Sequence, residues 1–292
     1  MPKVEKAVIL AGGLGSRFLP LSKVLPKELW PLVDVPIIQY LLEELKSSGF
    51  KKIVFVLPPG RKGTLDYFKR DFALEKLLKK RGKTALLLRL EKLYELQRNF
   101  SFSIVEQEKP LGDAHAVFQA RKHIDKSPFA LLFCDDIFDA KKPVLSQLVN
   151  VFKTSQRPVI ALSRVLPEET SSWGIVGVEK IARRFFKIKD IVEKPLPAKA
   201  PSDLAIVGRY ILDSEIFAYI DKRIKKVKDK EIILAEVLNE MSHEGKTIYG
   251  YEFEGKWLRC GKKIDWLKSH LYLSLNHPQF GPELRKYLRE II

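Results

Sequence analysis

The sequence predicts an α/β fold: three layers, helix on sheet on helix, around a mixed, mostly parallel sheet, with further helices at the C-terminal end. Three observations predict it. Apolar runs of the kind a strand buried on both faces shows recur at 7–11, 52–57 and 129–133, with a further strand at 101–106. Stretches of helical periodicity separate these runs, which is the spacing of right-handed βαβ units. The glycine loop 12–15, Gln107 and Asp135 all sit at the ends of predicted strands. Open α/β sheets gather their ligands at those carboxyl ends.

Taken in order, the first run ends in Gly12, Gly13 and Gly15, followed by Ser16 and Arg17. Without a Cβ, such a turn lets backbone N–H groups approach an anion closely. It is not a Walker loop, because no Gly-Lys-Ser/Thr opens a helix. Nor is it a dinucleotide fingerprint, because Pro20, Pro26 and Pro31 forbid a long helix after the glycines. The stretch therefore reads as a stiff loop projecting Arg17, Lys23 and Lys27, with a helix resuming at Pro36 and running to Gly49. The second strand, 52–57, stops at Pro58-Pro59-Gly60. Residues 64–98 are basic and leucine-rich and predict a broken helical excursion covering the outside of the sheet. The third strand, 101–106, ends at Gln107. A helix follows over 113–123, then a fourth strand over 129–133 ending in Cys134-Asp135-Asp136.

The second half is less regular. Strands are predicted at 158–164, 174–179, 185–193, 205–212 and 247–251, the third of these ending in Glu193-Lys194-Pro195. Ser214 is placed to cap a helix over 215–220. Further helices are predicted at 231–243 and 264–275, and a basic amphipathic one at 282–291. No internal repeat or linker breaks the chain, so one domain accounts for it.

Length and composition bound the function. A chain of 292 residues with 46% hydrophobic and 30% charged residues suits one large globular domain. The net charge of +16 fits a cleft for polyanions, a nucleic-acid surface, or simply a lysine-rich exterior. The basic runs at 79–81 and 222–226 carry no interleaved aromatics, which argues against nucleic acid as a partner. Cys134 and Cys260 are too few for a structural zinc site or a disulfide framework, and a reducing cytoplasm is expected. No apolar run approaches the ~20 residues of a spanning helix, so no membrane partner is expected. His115, His123 and His243 lack ligand spacing and are assigned no metal.

The stretch GGLGSR, followed by P-x-x-K-x-x-P-K and then PKELWPLVDVPIIQY, resembles the signature loop of sugar-phosphate nucleotidylyltransferases, and within them the bacterial-type UTP–glucose-1-phosphate uridylyltransferases. The resemblance runs from Lys6 to about Leu288. It implies a Rossmann-like nucleotidyltransferase domain with a nucleotide-binding half at 6–135, a sugar-phosphate half at 136–260 and C-terminal helices at 261–292. It implies that UTP and glucose 1-phosphate give UDP-glucose and pyrophosphate, with Mg²⁺ as cofactor and a homo-oligomer as the assembly.

By position, the resemblance implies nucleotide contacts at Ala11, Gly12, Gly13, Gly15, Gln107 and Gly112. Arg17, Lys27 and Lys194 take catalytic roles, Gly174, Glu193, Lys194 and Val207 hold the sugar phosphate, and Asp135 holds the metal. The chemistry of these residue types agrees. A carboxylate suits a hard cation that bridges phosphates. One glutamine amide can pair with the adjacent N3–H and O4 of uracil. A glutamate accepts from neighbouring sugar hydroxyls, and a lysine holds a phosphate.

Three departures from the family pattern leave alternatives open. Asp113 and Ala114 stand where Leu and Gly are usual; Ile233-Leu234-Ala235-Glu236 replaces Q-L-T-D; and Arg259 replaces the Asp of D-C-G. Arg259 is expected either to contact phosphate in place of part of the metal's work or to cripple the site. A dTTP-using hexose-1-phosphate relative, or a weakly active nucleotide-sugar binder, are the alternative functions.

Overall fold

The computed structural model describes residues 3–13, 15–61, 63–227 and 230–291. A nine-stranded sheet forms its middle layer. From one edge the order is Ser101–Glu106, Lys52–Leu57, Lys6–Leu10, Phe129–Phe133, Leu204–Leu212, Val159–Arg164, Tyr249–Glu252, Phe185–Glu193 and Gly174–Ala182. The first four strands are parallel. Leu204–Leu212 runs antiparallel to both of its long neighbours, and the sheet is mixed from there on.

The central strands read as unbroken apolar runs because each is buried on both faces. Ala7 and Ile9 pack into one core, Val8 and Leu10 into the other, and Lys52–Leu57 alternates in the same way. Helices Ile37–Ser47 and Val144–Ser155 cover the first face. Asp113–Gln119, Ile216–Lys226 and Leu234–His243 cover the second.

Several element boundaries differ from the expected ones, each for a local reason. The 64–98 excursion resolves into helices Gly63–Asp66, Phe72–Lys80 and Thr84–Arg98, with Asp71 capping the second by accepting from the Leu74 N–H at 2.9 Å. The expected 113–123 helix breaks after Gln119 and restarts as Arg121–Ile124. Ser214 is not a side-chain cap; the helix starts at Ile216 and continues through Arg223, Lys225 and Lys226, where cations suit the C-terminal dipole. The helix expected from 231 begins only at Leu234, because the Ile232 N–H donates to the Leu111 carbonyl and its own carbonyl accepts from Ala114. Two short ribbons were not anticipated: Asp136–Asp139 paired with Lys256–Arg259, and Pro31–Leu32 paired with Val35–Pro36.

One charged side chain sits in the middle of the sheet. Arg209 is fully buried in an otherwise apolar strand. Its Nε and Nη2 donate to Glu44 Oε2 at 3.0 and 2.9 Å. Nη1 donates to the carbonyls of Phe133 at 3.2 Å and Gly208 at 2.8 Å, and Nη2 donates to that of Asp136 at 2.8 Å. Every guanidinium N–H is thus satisfied. Removing one partner of such a pair leaves an uncompensated buried charge. Arg209→Met should therefore cost about 3–5 kcal/mol in urea unfolding. The Arg209→Met/Glu44→Met double variant should recover only part of that, because three carbonyls lose their donor. A single-variant loss below about 1 kcal/mol would show that water replaces the guanidinium.

Candidate active site

Beyond the carboxyl ends of the parallel strands lie two adjoining cavities of about 500 and 270 Å³, whose walls share Arg17, Asp113, Phe133 and Asp135. The larger is walled by the loop after Lys6–Leu10. Gly12, Gly13, Ser16, Arg17, Lys27, Gln107 and Gly112 all line it. The prolines that exclude a long helix admit single 3-10 turns, at Ser16–Phe18, Leu21–Lys23 and Lys27–Leu29. Phe18 and Trp30 pack edge to face at 4.3 Å beneath them and pin the loop to the core.

The glycines divide by role. A Cβ at Gly12 would stand 3.2 Å from Gln107 Oε1. Gly112 adopts φ +92°, and a Cβ there would meet the Ile232 carbonyl oxygen at 2.5 Å, so no other residue fits. Two residues expected among the nucleotide contacts do not line either cavity. Ala11 is buried in the core and donates to the Val56 carbonyl at 3.0 Å. Gly15, at φ +65°, shapes the loop: its carbonyl accepts from Ser22 Oγ at 2.7 Å. Lys23 is exposed and also lines neither.

Gln107 differs from expectation in what it can offer. Its amide nitrogen donates to the Gly112 carbonyl at 3.0 Å and lies 3.1 Å from His115 Nδ1. Both amide hydrogens are therefore spent, and a simultaneous contact to uracil N3–H and O4 is not open to it.

Charge converges where the cavities meet. Lys27 Nζ pairs with Asp135 Oδ2 at 2.8 Å. Arg17 Nη1 donates to the Gly261 carbonyl at 3.2 Å. A Cβ at Gly261 would lie 3.0 Å from Asp135 Oδ2, so this glycine leaves room for the carboxylate. Burial alone would raise the Asp135 pKa, but Lys27 and behind it Arg17 hold it below the usual carboxylate range. Burial also opposes the Lys27 charge, and Asp135 overrides it, keeping the ammonium protonated well above its ordinary range.

The smaller cavity is walled by Trp173, Gly174, Glu193, Lys194, Ile206, Gly208 and Tyr210, among others. Gly174 leaves room for Glu193, whose Oε2 would be 3.2 Å from a Cβ there. Lys194 Nζ pairs with Glu193 Oε1 at 2.7 Å. Lys194 holds φ +49°, a left-handed conformation, while its N–H donates to the Trp173 carbonyl at 2.9 Å. Val207, expected at the sugar phosphate, has its side chain buried in the opposite core, and strand alternation turns Ile206 and Gly208 to the cavity. Trp173 Nε1 is the one buried side-chain polar atom without a partner among the described residues, a donor left for a ligand oxygen.

Some functional neighbours were not read from the sequence. Asp136 accepts from Trp257 Nε1 at 2.6 Å and from the Gly208 N–H at 3.0 Å, so it braces the strand rather than facing the cavity freely. Burial, and after it the Asp135 charge, push its pKa up to about 6. The signal available for Arg209 was a lone charge inside LAIVGRYIL.

The nucleotidyl transferase family model matches residues 6–274. The chain belongs to that family. It is 37% identical over 290 residues to UTP–glucose-1-phosphate uridylyltransferase YngB of Bacillus subtilis, covering 99% of this chain and 96% of the relative. It is 36% identical to UTP–glucose-1-phosphate uridylyltransferase of Staphylococcus haemolyticus, over 100% and 99% of the two chains. Among solved structures, UTP-bound UGPase from Acinetobacter baumannii superposes with a TM-score of 0.90 at 32% identity, covering 99% and 100% of the two chains. A UDP-glucose pyrophosphorylase complexed with UDP-glucose gives 0.82 at 31% identity, over 93% and 98%.

Within this nucleotidyl transferase, Arg259 lines the smaller cavity with its charge answered by two carboxylates. Its Nη1 pairs with Glu169 Oε1 at 2.6 Å and its Nη2 lies 3.4 Å from Asp265 Oδ1. The guanidinium also lies over the Trp173 and Trp257 rings, at 5.7 and 5.6 Å. Asp113, another departure, holds the backbone in place. Its Oδ1 accepts from the Ala114 and Leu234 N–H groups, both at 2.8 Å, and so ties two helix starts together.

Burial, opposed by those N–H groups and aided by Glu193, raises the Asp113 pKa to about 6. An unfolded aspartate titrates near about 3.9. Between those values the folded chain binds the extra proton, so the stability contributed by Asp113 falls as pH rises from about 4 to about 6. Asp113→Asn keeps the Oδ1 acceptor and removes the titration. Its Tm relative to the parent chain should climb across that window and level off above it. A difference that stays flat with pH would mean that water, not protein, surrounds the carboxylate.

Proposed function

We propose that this chain transfers a uridylyl group from UTP to glucose 1-phosphate, releasing pyrophosphate and forming UDP-glucose. The observation that carries this reading is the meeting of Arg17, Lys27 and Asp135 where the two cavities join. The names and bound ligands of the relatives support the same reading. The larger cavity takes the nucleotide, between Gly12, Gly13 and Gln107. The smaller takes the sugar phosphate, with Glu193 accepting from sugar hydroxyls and Lys194 holding the phosphate.

The reaction is an in-line displacement. An oxygen of the sugar phosphate forms a bond to the α-phosphorus of UTP as the bond from that phosphorus to the bridging oxygen breaks, and its electron pair leaves with pyrophosphate. No general base is needed, because a phosphate monoester with a second pKa of about 6 is mostly ionised at pH 7. The chain's work is positioning and charge neutralisation. Arg17 and Lys27 face the triphosphate and the departing pyrophosphate, and Lys194 shares its charge with the attacking group.

The donor set fits Mg²⁺ in one way. Among the described residues no cluster of three or more His, Cys, Asp or Glu could hold a metal. Mg²⁺ is commonly held by one or two carboxylates plus substrate phosphates. Asp135 supplies one such carboxylate, and Asp136 is committed to Trp257 and Gly208. When bound with the triphosphate, the cation would neutralise phosphate charge. Arg259, answered by Glu169 and Asp265, adds little net repulsion to it.

The test is pyrophosphate release with UTP and glucose 1-phosphate, with and without a chelator. Turnover should depend on divalent metal. Arg17→Ala and Lys27→Ala should each lower kcat by about a hundredfold or more. Near-parental rates in both variants would refute the phosphate clamp. No release at any Mg²⁺ concentration, with UDP-glucose still bound, would mark the chain as a nucleotide-sugar binder.

A further inference from the structure

The bonding around Gln107 reaches one residue further than the cavity wall. Gln107 closes the third parallel strand, is 8% exposed, and is held in place by its own N–H to the Leu57 carbonyl at 2.8 Å. Its side-chain nitrogen stands 3.0 Å from the Gly112 carbonyl. A carbonyl only accepts, so the amide nitrogen must face it and the amide oxygen must face away. That oxygen lies against Gly12, in the wall of the larger cavity, and takes no hydrogen bond among the described residues.

The second amide hydrogen is the informative one. It points to His115 Nδ1 at 3.1 Å. Nδ1 must therefore carry the lone pair, and the ring proton sits on Nε2. Nε2 in turn lies 2.9 Å from the Gln119 side-chain amide nitrogen, so with the proton on Nε2 the Gln119 amide, unlike that of Gln107, turns over to present its oxygen. Turning the Gln107 amide over would set its oxygen against the Gly112 carbonyl and the His115 lone pair together. Burial, with the charges of Arg121 and Lys109 behind it, lowers the His115 pKa against the opposing pull of the Lys109 carbonyl, which favours the neutral ring.

We propose that His115 is a positioning residue for nucleobase choice, fixing Gln107 so that only its carbonyl oxygen faces the base. The inference rests on the uridylyl-transfer reading. Uracil presents an N3–H donor to that oxygen. Cytosine presents a lone pair at the same place, and two acceptors face each other. Thymine has the same N3–H as uracil, so this device rejects CTP but does not separate UTP from dTTP. His115 touches no reacting atom; it acts through Gln107.

The experiment compares kcat/KM for UTP, dTTP and CTP with glucose 1-phosphate, and the dissociation constants of UTP and CTP without sugar, in the full chain and in His115→Leu and His115→Asn. Asn can still accept from the Gln107 amide, and Leu cannot. His115→Leu should lower the UTP-to-CTP ratio about tenfold, the worth of roughly one hydrogen bond. His115→Asn should restore most of the ratio, and the UTP-to-dTTP ratio should hold in all three proteins. If His115→Leu lowers UTP and CTP alike with their ratio unchanged, or if Asn fails to restore the ratio, His115 only supports the fold and the inference is overturned. Absence of pyrophosphate release from the parent chain would instead defeat the uridylyl-transfer reading, and the two dissociation constants would then decide the role of His115 alone.

Discussion

The Arg209 guanidinium, buried between strand and helix, is the constraint on which the rest of the site depends. It donates at once to Glu44 on a helix of the first layer, to the last carbonyl of Phe129–Phe133, and to the Asp136 carbonyl just beyond. Those carbonyls bracket Asp135. A strand end is normally where the backbone frays, because its ladder stops there. Here the ladder is continued by one side chain, so the carboxylate leaves the sheet from fixed backbone. The same strand contributes Gly208, whose missing Cβ lets Asp136 approach its N–H at 3.0 Å. Charge, glycine and carboxylate are one packing solution.

With Asp135 fixed, the balance of charge around it follows. Desolvation works against both members of the Lys27–Asp135 pair, and at 2.8 Å their attraction prevails. Neither is strongly exposed, so the pair is worth more than a surface ion pair, yet it borders open cavities. Lys27 reaches Asp135 beside Gly13, where a Cβ would sit in ordinary contact with the ammonium at 3.7 Å, whereas a Cβ at Gly261 would crowd Asp135 itself, 3.0 Å from its Oδ2.

Much of this was legible in the sequence, and what was not has physical causes. The parallel strands were readable because burial on both faces leaves no polar alternation to confuse them, as in Lys6–Leu10 and Lys52–Leu57. The residues following them were readable because α/β topology sends strand ends to one rim. Arg17, Lys27, Gln107, Gly112, Gly174, Glu193, Lys194 and Asp135 all line one of the two cavities. Val207 does not line the cavity with its side chain, because a strand turns each successive side chain to the opposite face. The Asp136–Asp139 ribbon was missed because four residues are too short for periodicity to register. Arg209 was not assigned a role because its partner lies 165 residues away in sequence, and no local pattern joins them.

Arg259 shows why a departure from a family pattern has to be read with its neighbours. Taken alone, a permanent cation at 259 argues against metal binding at Asp135. In the folded chain that cation is held by Glu169 at 2.6 Å and faces Asp265, and two indole rings flank it. Burial raises and Arg259 lowers the Glu169 pKa, and the net effect is a carboxylate held ionised. The fixed charge is thereby answered within its own cluster, and little of it is left to act on Asp135. Lys262, three residues on, donates to Ser172 at 3.1 Å, so the same chain segment is fastened twice to the 167–172 turn that walls the smaller cavity. A carboxylate at 259 would leave Glu169 and Asp265 facing a third negative charge and would release one of those fastenings. Arginine at 259 is therefore matched to this chain's own wall, and Asp135, paired with Lys27, keeps its place where the two cavities meet.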